Sequence, residues 1–213
     1  MGNFYVNVTL KGPERSDITE YLERIGCKAY LAPAADRITT LCEEQCDNQD
    51  TVLISRFTRE LSEHFGCPAL AAVNHADDIQ AYVLYDKGER RHAYNSKPWY
   101  FDGKPLGGDF DLPPDQIPPE PEDWDVDPEL PAGGDAEALV ELFGNAADVA
   151  EVDRVLHAPE TDQSDEFVFA FERHEALLKA LGLPDHAVCF GTRYLADRIP
   201  AQLEAEGILR IGG

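Results

Sequence analysis

Residues 67–95, CPALAAVNHADDIQAYVLYDKGERRHAYN, decide the fold. The first part, CPALAAVN, is a compact and nearly continuous apolar run, which is typical of a strand buried in a sheet. The second part, IQAYVLYDKGERRHAYN, contains two strand patterns joined by Asp86-Lys87-Gly88, where glycine can take the positive φ of a tight hairpin turn. The stretch therefore predicts three consecutive β-strands.

The residues before this stretch alternate between strand and helix patterns. In NFYVNVTL (residues 3–10) every second residue is apolar, which predicts a half-buried strand. A short helix ending at Gly26, two short strands and a second helix ending at Gly66 follow. The order β-α-β-β-α-β plus an added hairpin predicts an α+β fold similar to the ferredoxin-like arrangement. That arrangement supports many unrelated functions, so it identifies none.

Composition divides the chain into three parts: a ferredoxin-like domain over residues 1–97, a connector over 98–134 and a mostly helical region over 135–213. Nine of the chain's 15 prolines fall at the connector, among many acidic residues. Proline and like charges favour an extended chain. Aromatic and aliphatic residues recur along the connector, so we expect it to wrap over the neighbouring domains.

Charge is the most distinctive property of the chain. There are 41 acidic and 18 basic residues, which gives a formal net charge of −23 at pH 7. Such a surface repels phosphate backbones, so nucleic-acid binding through a basic patch is not expected. Three interpretations remain: a solvated acidic surface, an acidic partner for a basic protein, or adaptation to a salty interior.

The sequence favours a cytoplasmic protein that does not enter a membrane. The N-terminus lacks a targeting pattern, and no apolar run approaches the ~20 residues that a membrane-spanning helix needs. The chain has five cysteines, an odd number, in an otherwise ordinary composition. We therefore expect reduced thiols rather than a secreted disulfide framework.

Two pairs of soft ligands resemble a zinc set: Cys42 with Cys46, and His64 with Cys67. The helix predicted between them places its ends ~20 Å apart, whereas zinc requires all ligands within ~2.3 Å of one point. We therefore predict no metal site and no cofactor.

The segment NHADD (residues 74–78) supplies the candidate catalytic residues His75, Asp77 and Asp78. An imidazole and two carboxylates suit a divalent cation or a general base. Turn formation is the favoured alternative, because Asn and Asp side chains bond their own backbone in tight turns. His174 lies on an apolar helical stripe, which predicts an interior histidine rather than a catalytic one.

Four aromatic residues are candidate binding residues: Tyr94, Trp99, Tyr100 and Phe101. They follow the predicted hairpin and lead into the connector. The favoured interpretation is that the rings clamp the connector onto its domain. If they form one exposed patch, they mark the place where a partner binds.

The segment Leu209-Arg210-Ile211-Gly212-Gly213 resembles the diglycine tail of ubiquitin-like modifiers and sulfur carriers. This resemblance implies activation of the last glycine through its carboxylate. Those families carry a β-grasp domain immediately before the tail, whereas this chain has helical patterns there. That difference favours a simple glycine-rich terminus.

Together these features predict an acidic, non-enzymatic interaction protein, of the inhibitor or immunity type or a regulatory binding module, that docks a basic protein partner. The chain has neither a nucleophile elbow nor a phosphate-binding glycine loop. The alternatives are a small-molecule-sensing module and a small metal-assisted hydrolase with its site at residues 74–78.

Overall fold

The computed structural model describes residues 2–98, 131–144, 147–158 and 167–212. These residues form an eight-stranded antiparallel sheet and seven α-helices, so the fold is α+β as predicted. The strands are β1 (Tyr5–Lys11), β2 (Ala29–Leu31), β3 (Ile38–Glu43), β4 (Pro68–His75), β5 (Ile79–Asp86), β6 (Glu89–Asn95), β7 (Ala132–Gly133) and β8 (Leu209–Ile211). The helices are α1 (Arg15–Arg24), α2 (Thr51–Phe65), α3 (Ala136–Leu142), α4 (Val149–His157), α5 (Ala170–Leu181), α6 (Thr192–Leu195) and α7 (Pro200–Ala205).

The strand order across the sheet is β7-β6-β5-β4-β1-β3-β2-β8. The N-terminal elements occur in the predicted order, and β4, β5 and β6 form the predicted run of three antiparallel strands. Two short strands from the second half of the chain were not predicted. β7 pairs with β6 at one edge of the sheet, and β8 pairs with β2 at the other edge.

Turn and cap residues place these elements where the sequence predicts them. Lys87 and Gly88 have φ values of 52° and 83°, as a two-residue hairpin turn requires. The side chain of Asp50 accepts a hydrogen bond from the Leu53 N–H at 3.1 Å and caps α2. Gly66, with φ 59°, ends the same helix.

Helices cover both faces of the sheet. On the first face, α1 and α2 pack against the apolar side of the central strands through residues such as Ile18 and Ile54. On the second face, α3, α4 and α5 pack over β4, β5 and β6 through residues such as Leu139 and Leu178. α6 and α7 cover the second face near β2 and β3.

The prediction that β1 is half-buried was wrong, because the C-terminal helices cover its polar side. Tyr5, Asn7 and Thr9 are all buried on the second face. The Asn7 amide donates to the backbone carbonyls of Ala187 at 2.8 Å and Phe190 at 3.2 Å. Internal hydrogen bonds of this kind make the burial of a polar strand face tolerable.

The described residues after position 134 are largely helical, as predicted. The apolar helical stripe that carries His174 corresponds to α5. After α5 the chain forms a short 3-10 helix (Asp185–Ala187), α6, α7 and β8. β8 pairs antiparallel with β2, so the Leu209–Ile211 part of the terminal segment lies in the sheet.

Candidate functional site

The turn between β4 and β5 holds the predicted catalytic residues and is organised around Asp77. Its Oδ2 accepts hydrogen bonds from the Asn3 backbone N–H at 2.9 Å and from Asn3 Nδ2 at 3.2 Å. Its Oδ1 accepts from Asn74 Nδ2 at 3.3 Å, and its backbone carbonyl accepts from the Ala170 N–H at 2.7 Å. Ala76 and Asp77 have φ values of 57° and 65°, as a tight turn requires. Asp77 therefore ties the turn to the N-terminal segment and to the start of α5.

His75 lies at the end of β4, next to this turn. Its Nδ1 is 2.5 Å from Oε1 of Gln49, whose Nε2 donates to the Asn74 carbonyl at 2.8 Å. The edge of the ring contacts Phe4, with 5.0 Å between the ring centroids. Burial lowers the pKa of His75, and the nearby Asp78 carboxylate partly opposes this effect. The imidazole is therefore neutral at pH 7 and is held by a side-chain amide.

Tyr5 and His174 form a buried polar pair beneath α5. The Tyr5 hydroxyl and Nδ1 of His174 share a hydrogen bond of 2.8 Å. Burial lowers the pKa of His174 to about 4 and raises the pKa of Tyr5 well above its ordinary value. Both groups are therefore neutral at pH 7. The prediction that His174 is an interior residue is confirmed.

Of the residues that resemble a zinc set, the three cysteines are buried on the two faces of the sheet and His64 is exposed. Cys42 packs on the second face of the sheet, whereas Cys46 and Cys67 pack on the first. His64, in the last turn of α2, stacks on Tyr21 with 4.0 Å between the ring centroids. In the part of the chain that the structure describes, no group of three His, Cys, Asp or Glu side chains could hold a metal ion. Burial raises the pKa of the Cys67 thiol to about 11.

Of the four candidate aromatic residues, Tyr94 lies in the part of the chain that the structure describes. The ring is buried and stacks on Tyr82, with 5.1 Å between centroids. Its hydroxyl donates to the Leu156 carbonyl at 2.7 Å, which ties β6 to the end of α4. Trp99, Tyr100 and Phe101 lie outside the described residues.

A groove between β6 and the N-terminal ends of α3 and α4 was not predicted from the sequence. Its volume, about 760 Å³, lies in the range of ligand-binding clefts. We call it the acidic groove, because four carboxylates line it together with one arginine and one histidine. These residues are Arg91, His92, Asp135, Glu137, Asp148 and Asp153.

Two of the four carboxylates also cap helices. Asp135 and Asp148 each accept one backbone N–H, at 2.9 Å in α3 and 3.0 Å in α4. Oδ1 of Asp153 is 3.1 Å from Nδ1 of His157, and Glu137 is exposed in the first turn of α3. Glu137 and Asp153 can therefore be neutralised without removing a helix cap.

The basic residues of the groove contribute little net positive charge. The Arg91 guanidinium lies 3.6 Å from the carboxylates of both Asp86 and Glu141, which balance its charge. Burial lowers the pKa of His92 to about 4, so this imidazole is neutral at pH 7. The acidic groove therefore has a strongly negative lining.

The sequence indicates a position at a helix start for two of the groove residues. Asp135 and Asp148 each precede an apolar helical stripe, which is the pattern of a helix N-cap. That pattern places both carboxylates at helix starts. It does not show that the two helix starts meet at β6, because their approach depends on tertiary packing.

No known protein family, curated protein or solved structure matches this chain. No helix within the described ranges combines the length and the apolar character that a bilayer crossing requires.

Proposed function

We propose that this chain is an acidic, non-enzymatic binding protein that docks a basic protein partner at the acidic groove. The single observation that carries the proposal is the lining of the groove. Four carboxylates face one arginine and one neutral histidine, in a chain with a net charge of −23. An inhibitor, an immunity-type protein or a regulatory module could each use such a surface.

Physical chemistry supports a basic partner for two reasons. The net negative charge of the molecule attracts a cationic protein at long range and accelerates its encounter. The groove then offers carboxylates to lysine and arginine side chains at short range, where charge-assisted hydrogen bonds form. With a volume of about 760 Å³, the groove has room for a short basic segment.

The proposal is tested by affinity capture with two matched double variants. The groove variant Glu137→Gln/Asp153→Asn removes two charges from the groove and keeps both helix caps. The control variant Glu20→Gln/Glu23→Gln removes two charges from the exposed face of α1. Wild-type and control proteins should retain the same basic protein at low salt, and the groove variant should lose it.

High salt should release the captured protein, because the screening length falls from ~10 Å at 0.1 M to ~3 Å at 1 M ionic strength. If both double variants lose the protein equally, then total charge drives capture and the groove is not the docking site. If salt does not change what is captured, the proposal of a basic partner fails.

We also propose the ferredoxin-like arrangement for residues 1–97 and a cytoplasmic location. The strand order β4-β1-β3-β2, with α1 and α2 on one face, supports the first proposal. Five free cysteines support a reducing compartment.

The metal-assisted hydrolase with a site at residues 74–78 has less support. The Asp77 carboxylate already accepts three hydrogen bonds from Asn3 and Asn74, which gives it a structural role. The alternative of a small-molecule-sensing module has support from a second pocket, which Lys28, Arg193 and Arg210 line.

A further inference from the structure

A pocket lies at the opposite edge of the sheet from the acidic groove, where β2, β8 and α6 meet. Its volume is about 420 Å³, which suits a small molecule. We call it the basic pocket, because three cationic side chains line it. The residues that matter are Lys28, Tyr30, Glu44, Arg193 and Arg210.

The local charge of this pocket is opposite to that of the molecule. The chain has 41 acidic and 18 basic residues, yet Glu44 is the one carboxylate against three cations among the described residues that line the pocket. Lys28 pairs with Glu44 at 3.3 Å, and both side chains are largely exposed. An exposed pair of this kind contributes little stability and opens readily. An anion can therefore recruit Lys28 at small cost.

Each of the two arginines lies over an aromatic ring. The Arg210 guanidinium lies 5.8 Å from the centre of the Tyr30 ring, and the Arg193 guanidinium lies 5.5 Å from that of Phe4. Neither guanidinium forms an ion pair with a carboxylate of the described residues. A guanidinium held over a ring by cation–π attraction, and not paired with a carboxylate, has N–H donors that match a carboxylate or a phosphate.

The backbone that carries Arg193 is also fixed. The Asp47 carboxylate accepts hydrogen bonds from the Thr192 hydroxyl and from the Arg193 backbone N–H, the latter at 2.7 Å. Arg210 belongs to β8, which pairs with β2 directly opposite Tyr30. The two arginines are therefore presented from rigid elements, which lowers the entropy cost of binding a ligand.

We propose that the basic pocket binds a small molecule through its oxyanion group, a carboxylate or a phosphate, with Arg193 and Arg210 as the main ligands and Lys28 as a third. The pocket volume suits a small molecule. The proposal deepens the small-molecule-sensing alternative and does not depend on docking at the acidic groove, because it concerns the other sheet edge and the opposite sign of charge.

The test is a titration of the full chain with inorganic phosphate and, separately, with succinate, followed by amide chemical shifts in NMR spectra. Sodium chloride at matched ionic strength is the reference. We expect shifts of residues 28–30, 193 and 210 that saturate with one of the two anions. Tighter binding of phosphate indicates a phosphorylated ligand, and tighter binding of succinate indicates a carboxylate ligand.

The variant Arg193→Gln/Arg210→Gln should weaken anion binding by at least about tenfold, since it removes both bidentate donors. Arg24→Gln is the matched control, because Arg24 also stacks on a ring, that of Tyr21, at 5.3 Å, outside the pocket. The single variants Arg193→Lys and Arg210→Lys keep the charge and remove the planar fork, and they should weaken binding by a smaller factor. The two lysine variants also test the proposal if the double variant does not fold.

The proposal is overturned if neither anion produces shifts beyond those of chloride. It is equally overturned if a folded double variant, or both lysine variants, bind with the wild-type affinity, or if Arg24→Gln weakens binding as much as the double variant does.

Discussion

At the scale of single residues, Asp77 joins three parts of the chain. Its carboxylate binds Asn3 near the N-terminus and Asn74 at the end of β4, and its carbonyl accepts the first N–H of α5. Hydrogen bonds to a charged acceptor are stronger than those between neutral groups. The turn therefore depends on this side chain for its position relative to the second half of the molecule.

We predict that Asp77→Ala lowers the free energy of unfolding by about 2 to 4 kcal/mol, because it leaves several donors without their acceptor. Chemical denaturation measures the change. Asp36→Ala is the matched control: Asp36 is also in a turn, with φ 50°, and is exposed. This variant should lower the free energy of unfolding by less than about 1 kcal/mol. Equal losses in the two variants contradict the structural role of the Asp77 carboxylate.

His174 predicts a pH dependence of stability. Its pKa is lowered to about 4 in the folded protein, whereas an unfolded histidine titrates near its ordinary value of about 6.5. Protons therefore bind the unfolded state first, and the stability present above pH ~6.5 is lost as pH falls toward 4. For this residue alone the loss between pH 7.5 and 4.5 is about 2 to 3 kcal/mol.

The variant His174→Gln should show a correspondingly smaller loss over the same pH interval, measured by urea unfolding at both pH values. Lys179→Gln, which changes an exposed residue of the same helix, should retain the wild-type dependence. An unchanged pH dependence in His174→Gln contradicts burial of a neutral imidazole.

The interior position of His174 was predictable, because the residue lies on an apolar helical stripe. Its partner was not predictable, since Tyr5 is 169 positions away in the sequence. The same limit applies to Asn7, whose alternating pattern indicated a half-buried strand. Sequence periodicity identifies which residues share a face, but it does not show what covers that face.

At the scale of elements, the β5–β6 hairpin is the part of the fold that its local sequence specifies best. Gly88 adopts φ 83°, and a Cβ atom at this position would lie 2.8 Å from Cβ of Glu63 in α2. The turn residue thus meets two demands at once: a left-handed backbone and close contact with a helix.

We predict that Gly88→Ala lowers the free energy of unfolding by about 1 to 3 kcal/mol, through backbone strain and the contact with Glu63. Gly182→Ala is the matched control. It has φ 67°, and a Cβ there would have no neighbour within 4 Å. This variant should lower the free energy of unfolding by about 1 kcal/mol, through backbone strain alone. Thermal and urea unfolding measure both variants, and equal effects contradict the close packing of the turn on α2.

Three short elements in the second half of the chain were not predicted, for a physical reason. β7 has two residues, β8 has three and α6 has four, which is too few for a period to appear. Their positions come from tertiary pairing with the sheet edges and from packing. Long elements such as α2, with an N-cap and a terminal glycine, were predictable from the sequence.

At the scale of the whole molecule, the sheet carries opposite charges at its two edges. The acidic groove lies at β6, beside the β7 edge, and the basic pocket lies at β2 and β8. Net charge could be read from the sequence, but neither site could. Asp135 and Asp153 line the same groove as Arg91, and Arg193 and Arg210 line the same pocket, because tertiary packing brings separate elements together.

The N-terminal residues need the rest of the chain to cover the second face of the sheet. Leu70, Tyr82, Leu84 and Tyr94 are buried there in a cluster with α3, α4 and α5. Residues 1–97 alone would expose this apolar surface, so we predict that this fragment lacks a cooperative unfolding transition. Circular dichroism during urea unfolding tests this. A fragment that unfolds cooperatively near the wild-type midpoint contradicts the prediction and supports an independent domain over residues 1–97.

The central claim is that the acidic groove, rather than total charge, binds a basic partner. The most direct measurement is the affinity of a lysine-rich peptide for wild-type protein, for Glu137→Gln/Asp153→Asn and for Glu20→Gln/Glu23→Gln, each at low and high salt. We predict that the groove variant binds about fivefold more weakly than the control at low salt, since two short-range ion pairs are lost. High salt should remove most of that difference. Equal affinities of the two double variants at low salt would contradict the claim.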